Sequence, residues 1–120
     1  MDELIGRLVA NVGIDRPTAE KAVGIILDFL RKEGPTDKVQ ALIDQLPGAE
    51  AAIEAQKDAG GGMFAMGGVM GVGSKLMAAG LSMGQVQSVT RELIGFAREK
   101  AGEDNVNEIV AAIPGLSQFV

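Results

Sequence analysis

An internal duplication constrains this chain more than any other feature. Slid 67 residues along itself, the sequence aligns residues 13–48 with 80–115 without a gap. Gly13-Ile14-Asp15 falls on Gly80-Leu81-Ser82, and Phe29-Leu30-Arg31 on Phe96-Ala97-Arg98. Asp37-Lys38-Val39 falls on Asp104-Asn105-Val106, and Leu46-Pro47-Gly48 on Ile113-Pro114-Gly115. Seven of the 36 positions are identical, and they sit at turns and at apolar positions. A repeat of this kind predicts one supersecondary unit used twice.

Each copy reads as helices. Ala19, Ala22, Val23, Ile26, Phe29 and Leu30 recur at the three-and-four spacing of an amphipathic helix, as do Val86, Val89, Leu93, Phe96 and Ala97. A shorter helix follows in each copy, with Val39, Leu42, Ile43 and Leu46 as one stripe and Val106, Ile109, Val110 and Ile113 as its twin. Ser82 and Gln85 have capping-box spacing, and Asp15 holds the matching position in copy one. Asp37 and Asp104 are expected to cap the short helices, which Pro47-Gly48 and Pro114-Gly115 end. Arg31 with Asp37, and Arg98 with Asp104, are expected to bridge the turns between helices. Residues 2–12 read as a leading helix with a counterpart near 69–79, and residues 49–58 as a further helix rich in strong helix formers.

No stretch alternates with a strand period. The expected fold is all-α: a compact domain of six to seven helices built from two pseudo-symmetric three-helix units. Residues 1–58 form unit one, 59–68 a Gly/Met-rich linker and 69–120 unit two. The apolar tail Leu116–Val120 is left to tuck into the core or reach another subunit.

Composition excludes more chemistry than it supports. The chain has no His, Cys, Trp or Tyr, which removes thiol nucleophiles, disulfides, thiolate or imidazole metal sites and histidine acid–base work. No cofactor, metal or catalytic residue is therefore assigned. Net charge is −5, the basic residues form no run, and no aromatic set is available for base stacking, so nucleic acid is not expected as a partner. The acidic start Met1-Asp2-Glu3 is unlike a signal peptide, and a cytoplasmic location is expected.

Residues 59–74 carry no charge and are rich in Gly and Met, and Lys75 closes the run. A membrane span needs about 20 apolar residues, more than this run supplies. Gly68–Lys75 resembles a phosphate loop, but ends Gly-Ser-Lys where Gly-Lys-Ser/Thr is required and follows no strand. A linker covering the core loosely is the simplest reading. Methionine also suits adaptable apolar contacts, so Met63, Phe64, Met66, Val69, Met70 and Met77 are the candidate contact residues for a partner or apolar ligand. Elsewhere, Glu103, Asp104, Asn107 and Glu108 lack calcium-loop order and read as a solvated helix start. Glu50 and Glu54 read as a solvent face.

The paired segments Gly-Ile-Asp-x-x-x-Ala with Leu-Pro-Gly (13–48), and Gly-Leu-Ser-x-x-Gln with Ile-Pro-Gly-Leu (80–116), resemble an uncharacterised bacterial family of helical proteins. That resemblance implies an all-helical fold and brings no catalytic residues. The expected function is a non-enzymatic protein-interaction module that self-associates as a homo-oligomer or binds another protein. The alternative is carriage of a small apolar ligand or acyl chain between helices.

Overall fold

The 18-residue helix Arg16–Glu33 is buried without interruption from Ala22 to Leu30. A helix covered on all sides is one that others surround, and this one is the axis of the fold. The computed structural model describes residues 2–46, 48–59 and 68–113, and among these it contains seven helices and no strand. They are α1 (Asp2–Val12), α2 (Arg16–Glu33), α3 (Thr36–Asp44), α4 (Ala49–Ala59), α5 (Gly68–Ala78), α6 (Met83–Ala101) and α7 (Glu103–Ala112). The described ends of α4 and α5 reach one residue into each side of the interval expected to be linker.

The helix ranges repeat the sequence offset. Shifting α1, α2 and α3 by 67 reproduces α5, α6 and α7 to within one residue at each end. The core repeats it too. Ile14 and Leu81, Ala19 and Val86, Ala22 and Val89, Ile26 and Leu93, and Phe29 and Phe96 are buried at both members of each pair, as are all four pairs of the short-helix stripes. The two connections before the long helices share a backbone feature, since Gly13 and Gly80 both take positive φ, +83° and +109°. That conformation costs glycine little and other residues much.

The packing crosses between the two aligned segments. α1 makes its broadest contact with α6, and α5 with α2. α3 meets α7, and α2 meets α6. α4 has no counterpart among the described residues and lies back along α2. One apolar cluster draws on all seven helices, running from Leu4 in α1 through Ile53 and Leu76 to Ile113.

Several local expectations are corrected. Asp37 and Asp104 lie inside the first turns of α3 and α7, whose N-caps are Pro35 and Gly102. Each helix begins two residues earlier than a capping aspartate requires, because the preceding connection is only two residues after α2 and one after α6. The Arg–Asp bridges give way to other partners. Arg31 donates to both oxygens of Glu50 at 2.9 Å, because α4 brings that carboxylate over the end of α2. Arg98 donates to Asn107 Oδ1 at 3.2 Å. Asp15 occupies the N-cap of α2 but its side chain makes no capping bond, whereas Ser82 and Gln85 form the full reciprocal box.

Candidate functional site

The sequence-expected contact residues divide three ways. Met63, Phe64 and Met66 lie outside the described residues, as do the tail residues Leu116–Val120. Val69 and Met70 belong to α5, and their side chains lie outside the described residues. Met77, in the last turn of α5, is 49% exposed. Met83, the first residue of α6, is 61% exposed, and sequence reasoning did not single it out. Among the described residues these two are the large apolar side chains left in water.

The corner that holds them is tightly specified. At the end of α5, Leu81 N–H donates to Leu76 O at 3.2 Å and Gly80 N–H to Met77 O at 3.0 Å. This is a Schellman closure with Gly80 at the left-handed position, and its usual apolar contact is present: Leu76 and Leu81 are both buried. One residue later Ser82 Oγ accepts from Gln85 N–H at 3.3 Å while Gln85 Oε1 accepts from Ser82 N–H at 2.9 Å. The leucines point inward, so Met77 and Met83 are left outward on either side of a rigid corner. The N-cap assignment was the available signal for Met83, because the first residue after a cap has no neighbouring turn to cover it.

Charged groups gather between α1 and α6. Arg7 Nη1 donates to Glu99 Oε2 at 2.6 Å and Nη2 to Oε1 at 3.3 Å, a bidentate pair. Glu3 stands 3.7 Å from Arg7 and 3.8 Å from Lys100. Arg7 and Lys100 also lie 5.1 and 5.4 Å from the centroid of the Phe96 ring. The hydrogen bonds from Arg7 hold the Glu99 carboxyl below the usual carboxylate range, and those to Glu99 raise the guanidinium above its ordinary value. Arg7 and Lys100 face Glu3 and Glu99 over a buried ring, with Glu92 also acting on Arg7, and the cluster clamps α1 to α6.

Asp28 is the other residue that sequence reasoning missed. It is 7% exposed, on α2, and its Oδ2 lies 3.1 Å from Lys32 Nζ. Its Oδ1 is buried with no hydrogen-bond partner among the described residues. The available signal was a single charge inside the apolar run from Ala22 to Leu30. Among the described residues, no group of three or more Asp or Glu side chains is placed to hold a metal ion. No described helix is long and apolar enough to cross a membrane.

No protein-family model matches the chain, and neither a curated protein nor a solved structure matches it.

Proposed function

We propose that the chain is a fused pair of similar three-helix units related by an approximate twofold axis, and that it serves as a non-enzymatic interaction module of a bacterial cytoplasm that associates with copies of itself. The symmetry reading is supported by the offset helix ranges and by the reciprocal packing of α1 on α6 and α5 on α2. It is supported also by a contact between equivalent residues: Asn105 Nδ2 donates to Lys38 O at 3.4 Å, and these two positions are 67 apart. A twofold axis brings the residues beside it against their own equivalents.

The interaction reading rests on one observation, the outward pair Met77 and Met83 on the rigid α5–α6 corner. Flexible, polarizable side chains on a fixed frame suit an apolar contact. The test is sedimentation velocity of the wild type and of the double variant Met77→Glu, Met83→Glu over a wide concentration range, with native mass spectrometry alongside. A wild-type dimer free of added mass, reduced to monomer in the variant at unchanged helicity, supports the module. A monomer at every concentration overturns it, and a retained lipid-like mass turns the reading to carriage of an apolar ligand.

A further inference from the structure

The composition leaves this chain one kind of side chain that takes up oxygen readily. It has no Cys, Trp, Tyr or His, so a mild two-electron oxidant has only methionine thioethers to react with. A thioether packed in a core is shielded from the oxidant, and one in water meets it directly. Met77 is 49% exposed and Met83 61%. Sulfur lies near the outer end of a methionine side chain, the part that such exposure places in water.

The corner that carries both residues does not depend on either thioether. Its apolar contact is between Leu76 and Leu81, both buried. Its hydrogen bonds run from the backbone of Gly80 and Leu81 and between Ser82 and Gln85. Neither methionine belongs to the apolar cluster that unites the helices. An oxygen added to either sulfur therefore stands in solvent and removes no core contact.

We infer that Met77 and Met83 are a modification site for hydroperoxides, and that their sulfoxides turn the corner polar while the helices stay folded. In the reaction a sulfur lone pair attacks one peroxide oxygen, the O–O bond breaks and an S–O bond forms. Sulfur loses two electrons, and with hydrogen peroxide the second oxygen leaves as water with both protons. The chemistry rests on exposure and composition. Its consequence rests on the association reading above: a sulfoxide buried without a hydrogen-bond donor is penalised, so an apolar contact made by these residues weakens at least about tenfold. Association covers the corner, so free chains are oxidised and associated chains are protected.

The test treats the full-length chain with hydrogen peroxide, quenches at intervals and locates each sulfoxide by peptide mass spectrometry. In dilute solution, Met77 and Met83 are expected to react within about fivefold of their rates in urea, as exposed thioethers do. Slower reaction than that overturns the site. Helicity by circular dichroism is expected to hold as these two positions are oxidised, and helicity lost in step with them overturns the intact fold. At high concentration, monomer and dimer fractions are separated before mapping. The dimer is expected to retain unmodified Met77 and Met83 whatever the state of Met1, Met63, Met66 and Met70. A dimer carrying sulfoxide at both positions overturns the switch. So does a loss of dimer that persists after methionine sulfoxide reductases of both stereochemical classes have removed the oxygen. A chain that is monomeric before peroxide is added counts against the association reading instead, and the rates and helicity still decide the site.

Discussion

Asn105 donates to the main-chain carbonyl of Lys38 across 3.4 Å, and the two residues stand 67 apart, the offset that aligns residues 13–48 with 80–115. The neighbouring side chains complete the seam, with Lys38 paired to Glu108. A small amount of polar chemistry thus sits where α3 meets α7, and the apolar stripes of both helices lie beneath it.

The two phenylalanines that share a register are expected to behave unequally. Phe29→Ala and Phe96→Ala each create a cavity in the core at a cost of about 3–5 kcal/mol. Phe96 also loses Arg7 and Lys100 from its ring, each worth about 0.5–1 kcal/mol at an exposed site. Urea unfolding of both variants is expected to place Phe96→Ala below Phe29→Ala, and the reverse order would show that the cations contribute nothing.

The two N-caps also differ. Ser82 makes both bonds of a capping box and Asp15 makes no side-chain capping bond. Ser82→Ala is expected to cost about 1 kcal/mol. Asp15→Ala loses only the interaction of its charge with the helix dipole, about 0.3–1 kcal/mol and sensitive to salt. Thermal unfolding at low and high ionic strength separates the two, because only the Asp15 effect fades with salt.

Glycine substitutions are expected to change sign along the chain. Gly95 lies within α6 with open space where a Cβ would stand, so Gly95→Ala stabilises by about 0.5–1 kcal/mol. Gly80 holds φ of +109°, and Gly80→Ala is expected to destabilise by about 1–3 kcal/mol through backbone strain. Equal midpoints in guanidinium for the two variants would refute this contrast.

Acid is expected to weaken the clamp between α1 and α6. The folded-state pKa of Glu99 is depressed by its hydrogen bonds from Arg7. The stabilisation is therefore fully present above the ordinary glutamate value of about 4.3, and is lost as pH falls through the depressed folded value. The melting temperature of the wild type is expected to exceed that of Glu99→Gln near neutral pH and to converge on it in acid. A difference that persists unchanged at low pH would show that the pair acts through packing rather than charge.

Asp28 is a buried carboxylate with one oxygen unpartnered among the described residues. Removing a desolvated, half-satisfied group relieves a penalty of about 1–3 kcal/mol, and alanine adds helix propensity. Asp28→Ala is therefore expected to be stabilising, unlike alanine at neighbouring Leu27 or Leu30, where about 2–5 kcal/mol is lost. Differential scanning calorimetry of the three variants reads this directly.

The helices were legible because their apolar spacing is local. Ala19, Ala22, Val23, Ile26, Phe29 and Leu30 mark one face of α2, and all are buried. The same spacing says nothing about the far side of that helix, where Ile25 and Asp28 are covered by other parts of the chain. Nor does an alignment of residues 13–48 with 80–115 specify which helix of one segment meets which helix of the other. Arg31 illustrates the limit. Sequence proximity suggested Asp37, but the fold-back of α4 supplies Glu50 from 19 residues away. Of the candidate contact residues, the described structure places the Met77 side chain outward, and the N-cap at Ser82 explains why Met83 joins it.

The crossed packing sets a timetable for synthesis. α1 leaves the ribosome first, yet its broadest contact is with α6, which begins about 80 residues later. At roughly 5–20 residues per second the wait is roughly 4–16 s. Throughout that interval α1, whose Leu4, Ile5 and Leu8 are buried in the finished fold, has α2 but not α6 to pack against. The packing of α1 thus waits on the translation of α6.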